Sequence, residues 1–266
     1  MTSHGTRQLI ANLDEIAVTV ATAAAERVGH IGRSGLSVNT KSSVTDMVTN
    51  VDLAADAFIR EQLANRAPND SVVTEEHDSI EGTSDVTWVV DPIDGTTNFV
   101  YGLAPYTVSI AAMIDQRPIV GVVVDISSGS IARACSGGTA TLNGSPIAIR
   151  PPVELQRTLA MTGFGYDRGR RHQQATALTQ ILPQIQDIRR LGAASWDICT
   201  VAAGQADAYF ERELKLWDFA AAWCIATQAG AAVEAIEGGP PVPGSVLVAH
   251  PQRIGQLREL ILSAGG

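Results

Sequence analysis

The chain has 266 residues, enough for one large domain or two small, closely packed ones with a sizeable core. It carries 19 basic against 28 acidic residues, a formal charge of −9 that argues against a broad nucleic-acid footprint. Cys135, Cys199 and Cys224 are far apart and form no CxxC pair, so they read as buried thiols in a reducing compartment rather than a disulfide framework.

Leu9, Leu13, Ile16, Val20, Ala24 and Val28 recur at helical spacing until Gly29 and Gly32. The first residues show no basic segment followed by an apolar run, and no stretch approaches the ~20 apolar residues of a membrane span. The expectation is a soluble cytoplasmic protein without a membrane partner. Residues 35–41 read as extended, and a polar stretch follows from Ser42 to Asp52. A second helix carries Ala55, Phe58, Ile59 and Leu63, and a short strand over 71–74 runs into Glu75-Glu76.

Val86 to Val90 reads as a buried strand leading into Asp91-Pro92-Ile93-Asp94-Gly95-Thr96-Thr97-Asn98-Phe99. Pro92 keeps Asp91 extended, Pro92 and Gly95 turn the chain, and Asp94 can point back toward Asp91. Gly95 to Asn98 reads as the first turn of a helix, whose unpaired amides suit an anion. Strands are expected over 107–114 and 119–126, then 130–135 and 147–149, with Asn143-Gly144 as a hairpin turn. Beyond Pro151-Pro152 the expected pattern alternates. It runs strand 159–162, helix 172–182, helix 194–203, a strand ending at Tyr209-Phe210, helix 217–228, strand 246–249 and a last helix. Such alternation implies layered sheets and helices.

Asp52, Glu75, Asp91, Asp94 and Asp218 each sit where a strand or loop meets a helix. Singly, Asp52 and Asp218 are as well explained as helix caps. Together, several carboxylates in one site need raised pKa values or a cation, and Mg²⁺ is a fitting one because it takes few carboxylates and uses phosphate oxygens. No HExxH, Walker loop, G-x-S-x-G or G-x-G-x-x-G motif competes.

The segment Trp88 to Phe99 closely resembles the first signature of the inositol monophosphatase family, the Mg²⁺-dependent, typically lithium-sensitive phosphatases. Leu216-Trp217-Asp218-Phe219-Ala220-Ala221-Ala222 with Gln228-Ala229-Gly230 is similar to its second. Lys41 with Asp46 to Asp52, Val73 to Glu76, Arg190 to Ser195 and Ala206 to Glu211 resemble further family elements, in family order. The resemblance implies a layered αβαβα sandwich of two closely packed sub-regions, 1–150 and 151–266, and a homodimer. It implies a first Mg²⁺ held by Glu75, Asp91 and the Ile93 carbonyl, a second by Asp91, Asp94 and Asp218, and a weaker third helped by Glu75. Asp52 and Thr96 would orient or deprotonate the attacking water. Gly95 and Thr96 amides would hold the phosphate. Gly192, Ala193, Ala194, Glu211 and Asp218 would line the alcohol side of a phosphorylated polyol.

Departures from the family pattern are Thr74 and Glu213 where Gly is frequent, His250 where Asn is common, and a hairpin at 137–140 without its aromatic residue. Glu213 and His250 bear on the substrate. The leading expectation is hydrolysis of an inositol monophosphate. The alternatives are the same chemistry on fructose 1,6-bisphosphate, histidinol phosphate, adenosine bisphosphate or NADP, or a binding scaffold for RNA-processing machinery. The basic run Arg168 to His172 reads as a solvated helix start, Trp196 and Trp223 as core or dimer contacts, and His77 as a surface residue.

Overall fold

The computed structural model describes residues 3–33, 35–41 and 47–265. The first half contains α1 (Ser3–Ile31), β1 (Val38–Thr40), β2 (Met47–Thr49), α2 (Asn50–Arg66), β3 (Ser71–Thr74), β4 (Thr87–Asp94) and the short α3 (Thr96–Tyr101). It continues through β5 (Thr107–Ile114), β6 (Arg117–Asp125), β7 (Ser130–Cys135), β8 (Thr141–Leu142) and β9 (Ser145–Pro146). The second half contains β10 (Leu159–Thr162), α4 (Arg168–Ile181), β11 (Asp187–Arg189), α5 (Ala194–Ala202), β12 (Ala208–Arg212) and α6 (Leu216–Gln228). It closes with β13 (Ala232–Glu234), β14 (Ser245–Ala249) and α7 (Ile254–Ser263).

Strands β3 to β9 form one seven-stranded sheet in sequence order, a second, five-stranded sheet runs β11-β10-β12-β14-β13, and β1 and β2 pair as a separate two-stranded sheet. Alternation along the strands sorts the apolar side chains into layers. Trp88, Val90, Ile110 and Val122 face α1 and α2, packing against Leu13, Val20, Ile59 and Leu63. Val89, Ala111 and Val123 face the other way, onto Ile198 of α5 and Phe219, Ala222 and Ile225 of α6. The far side of that helical layer meets Met161, Tyr209, Val246 and Val248 of the second sheet. The second sheet's outer face, with Ala160, Phe210 and Leu247, is covered by Ala177 and Ile181 of α4 and Leu257 and Ile261 of α7. The result is the expected αβαβα sandwich.

Several boundaries differ from the sequence reading. Helix α1 runs through Gly29 and stops only where Gly32 turns left-handed at φ +58. Strand β4 continues through Pro92 to Asp94, with a register shift against β5 between those acids. The β5–β6 turn is only Asp115-Gln116, both with positive φ. Residues 147–149 are not a strand, although the Ile147 and Ile149 amides donate to Ala140 and Ala229 carbonyls. Strand β12 runs past Phe210 to Arg212. Of the polar stretch before α2, residues 42–46 lie outside the described residues. Residues 76–86 are tied to the sheet edge through paired amides of Val72 and Ile80 and through Gly82, whose amide donates to Ser71 Oγ.

Candidate active site

Asp91 and Asp94 arrive at the end of β4, the strand between β3 and β5. The Ile93 amide donates to Asp91 Oδ1 at 3.0 Å, a short local turn that fixes that carboxyl within a buried bend. Asp94 reaches to α5 while lying near enough to Asp91 to raise it. It accepts from the Ala194 amide at 3.2 Å, the Ser195 amide at 2.7 Å and Ser195 Oγ at 2.5 Å. Ala193 at the start of α5 has no capping side chain, so Asp94 caps that helix from across the molecule.

Asp52 has one job for each oxygen. Oδ2 accepts from the Thr49 amide at 2.9 Å and from Thr49 Oγ1, completing a capping box at the start of α2. Oδ1 accepts from Thr96 Oγ1 at 3.0 Å, and that hydroxyl lies equally close to the Ile93 carbonyl oxygen. The cap reading and the site reading of Asp52 are therefore compatible. Asp218 repeats the pattern in α6, where its Oδ2 accepts from the Lys215 amide at 2.6 Å.

Glu75 leaves the end of β3, close enough to Asp91 to raise that acid's pKa, and Lys41 donates to both Glu75 and Glu76 at 2.7 Å. Gly95 begins α3 at φ +89, and a side chain there would press on Ala193 Cβ, the Gly192 carbonyl and the Pro105 carbonyl at 3.2–3.3 Å. The motif's turn and the Gly192–Ala194 segment are thus in contact. On β12, Glu211 Oε2 accepts from the Tyr209 hydroxyl at 2.5 Å.

The electrostatics are those of crowded acids. Burial pushes Asp91 well above its ordinary range, and Glu75, Asp94 and Asp218 push it further. Asp218 is raised by burial, then by Asp94 and Glu75. Burial also raises Glu75, with Lys41 opposing, and Asp52, with the Thr49 and Thr96 hydrogen bonds opposing. Asp94 is brought to about 6 by burial, its three donors on α5 restraining the rise. Glu211 is raised to about 7, chiefly by burial. The Lys41 ammonium is lowered by burial but raised on balance by Glu75 and Glu76. Among the described residues, no three acidic, histidine or cysteine side chains are already drawn tightly enough to cage an ion.

Several participants escape sequence reasoning. Ser195 bonds Asp94 and also shares a 2.8 Å hydrogen bond with Thr107 Oγ1. Asn98 Nδ2 donates to the Pro105 and Leu191 carbonyls, both at 2.7 Å, joining α3 to the loop before α5. Asp197 is buried, its Oδ1 has no partner among the described residues, and burial, Asp94 and Glu211 raise it to about 8. His77 is half exposed but bonds buried Asp56 at 2.5 Å, one turn beyond Asp52 on α2. The i, i+4 acid pair Asp52 and Asp56 was the available signal. The basic run does begin α4, and Trp196 and Trp223 pack on the central core.

A family model described as the inositol monophosphatase family matches residues 9–264. An inositol-1-monophosphatase of Mycobacterium leprae is 42% identical, covering 80% of this chain and 77% of its own length. A Nus factor SuhB of Pasteurella multocida is 36% identical, over 84% of this chain and 86% of its own. The solved structure of Mycobacterium tuberculosis SuhB superposes with a TM-score of 0.82 at 35% identity, over 96% of this chain and 98% of that one.

Proposed function

This chain belongs to the inositol monophosphatase family, and we propose that it is a Mg²⁺-dependent phosphatase for an inositol monophosphate or a similar polyol monophosphate. The observation that carries the reading is the group of buried Asp91 and Asp94 with half-buried Glu75 and Asp218, crowded acids whose pKa values are all raised. Crowded carboxylates of this kind are favoured in their fully ionised form by positive charge beside them. Its donors are all oxygen, including the Ile93 carbonyl, which fits Mg²⁺ and not a soft metal. Glu75, Asp91 and the Ile93 carbonyl would hold one ion and Asp91, Asp94 and Asp218 another, with Glu75 helping a third. Mg²⁺ there would make a coordinated water more acidic and neutralise charge on the phosphoryl oxygens.

The chain's own residues supply positioning and proton transfer. With its hydroxyl proton drawn to Asp52, Thr96 turns lone pairs toward the attacking water; the water's proton passes to Thr96 as the Thr96 proton passes to Asp52. The amides of Gly95 and Thr96 hold the phosphate, aided by the free amides of the helix start. Gly192, Ala193 and Ala194 border the alcohol, and Glu211, oriented by Tyr209, accepts from its hydroxyls above a pH of about 7. Attack is in line and direct; a covalent phosphoaspartate trapped on Asp91 or Asp94 would overturn it. The protein acts as a homodimer, and exposed Leu103 and Leu191, both flanking Asn98, offer an apolar surface for it.

The test is phosphate release from inositol 1-phosphate, fructose 1,6-bisphosphate, histidinol phosphate, adenosine bisphosphate and NADP, with Mg²⁺, with EDTA and with Asp91→Asn. Mg²⁺-dependent turnover of inositol 1-phosphate, reduced by ~10³ or more in the variant, is the expected result. Preference for another ester moves the substrate and keeps the site. The Pasteurella relative's name favours one second reading, a binding role in place of catalysis. Under it the whole panel is silent and Asp91→Asn leaves function in the cell intact. The charge of −9 weighs against non-specific nucleic-acid binding in that role.

A further inference from the structure

Four non-glycine residues among those described have a positive φ. Asp115, Gln116 and Asn143 occupy tight hairpin turns, where that conformation matches the strand twist. Glu213, at φ +70, lies in the loop between β12 and α6, where no hairpin requires it. A long side chain is costly there unless something it touches repays the strain.

The Glu213 carboxylate has such a contact. Its Oε1 accepts from Arg170 Nε at 3.0 Å, and its Oε2 occupies the space a side chain on Gly165 would need. Two residues earlier on β12, Glu211 stands the same way against Gly163. Two carboxylates two residues apart therefore press on two glycines two residues apart. The Gly165 amide donates to Gln174 Oε1 at 2.9 Å, and Phe164 lies under the Arg190 guanidinium at 5.5 Å. Arg190 in turn is one of the groups that hold Glu211 in its ionised form. Arg170 is itself well placed, because its amide donates to Asp167 at the start of α4.

We propose that Glu213 and Arg170 form a clasp holding the Gly163-Phe164-Gly165 turn against Glu211, and that this clasp sets affinity for the polyol without acting on phosphoryl transfer. Glu213 is thus a positioning residue that works through Glu211, in a place where this chain departs from the glycine frequent in the family. The proposal rests on Glu211 being the acceptor of substrate hydroxyls.

The experiment compares the wild type with Arg170→Ala, Glu213→Gly and the swapped pair Glu213→Arg with Arg170→Glu. Hydrogen exchange is followed across residues 163–171, and KM and kcat are measured for inositol 1-phosphate and for phenyl phosphate, which offers no hydroxyls. In both single variants exchange quickens by roughly tenfold or more. KM for inositol 1-phosphate rises by about five- to tenfold, while its kcat and the phenyl phosphate kcat/KM stay within about twofold. Glu213→Gly melts no lower than wild type, since glycine relieves the left-handed backbone, and the swapped pair regains protection. Unchanged exchange in both single variants overturns the clasp, as does an equal loss on phenyl phosphate. If the wild type cleaves neither ester, the phosphatase reading fails and exchange alone decides: protection lost in the singles and regained in the swap upholds the clasp, and protection kept in the singles overturns it.

Discussion

Ser195 is a small residue with a large share in the site. Its amide and hydroxyl both donate to Asp94, and the same hydroxyl pairs with buried Thr107. Ser195→Ala therefore removes one donor from a buried carboxylate and strands a threonine hydroxyl. The expected cost is about 1–3 kcal/mol of unfolding free energy, measured by urea titration, because a buried group left unpaired loses its full desolvation penalty. The two remaining amides keep Asp94 aimed at α5, so kcat falls less than it does for Asp91→Asn. The sequence made Asp94 visible through D-P-x-D-G but gave no sign of this partner, 101 residues away. Local spacing carries information about turns and caps, as with Thr49 and Asp52. It says nothing about which distant helix a carboxylate will cap, so the partners of Ser195 and Asn98, and the whole of Asp197's part, became visible only once the chain was folded.

At the scale of elements, the placement of Asp218 depends on how closely α6 lies on the first sheet. Gly121 of β6 is where they touch: a Cβ there would overlap the Ala221 carbonyl oxygen and stand 2.9 Å from Cys224 Cβ. Helix and sheet approach this closely only because no side chain intervenes. Gly121→Ala is expected to lift α6, destabilising the protein by about 2–3 kcal/mol through overpacking. It would also move Asp218 relative to Asp94. A thermal melt and a Mg²⁺ titration of activity check the two consequences together, the melt falling and the Mg²⁺ requirement rising. The helix itself was legible, since its apolar run and the closing Gly230 mark both ends. The long strands β5 and β6 were legible from their β-branched runs. Strands β11 and β13 were not, because three-residue edge strands owe their form to the neighbour they pair with. The Ile147–Ile149 stretch failed in the opposite sense: its apolar pattern serves packing against the central core, not ladder pairing.

For the whole molecule, the site gathers acids from both halves of the chain around the ends of the two central helices. We propose the division into residues 1–150 and 151–266 because strands 71–146 make one large sheet and strands 159–249 a second, while the small β1-β2 sheet stays within the first half. Folding then brings Asp94 close enough to Asp218 to raise it. A carboxyl whose folded pKa lies above its unfolded value binds its proton more tightly in the native state. Its stabilisation is complete below the unfolded pKa and is lost as pH climbs through the folded one. Asp94 and Glu211 start from ordinary values of 3.8 and 4.5 and reach about 6 and about 7, and Asp197 reaches about 8. The contribution of these acids to the stability of the metal-free protein is therefore complete below about pH 4 and is lost progressively from there to about pH 8. Melts in EDTA at pH 5 and pH 8 should differ by roughly 5 °C or more, the acidic sample being the firmer. Added Mg²⁺ should recover much of that difference at pH 8 and little at pH 5, because protons and metal ions compete for the same oxygens. Asp91→Asn removes one of the mutually repelling charges while an amide oxygen can still accept from Ile93. In EDTA at pH 8 this variant should melt at or above the wild type, and Mg²⁺ should raise its melting temperature less. A wild type equally stable at both pH values in EDTA would mean that these acids are not the electrostatic burden their burial implies.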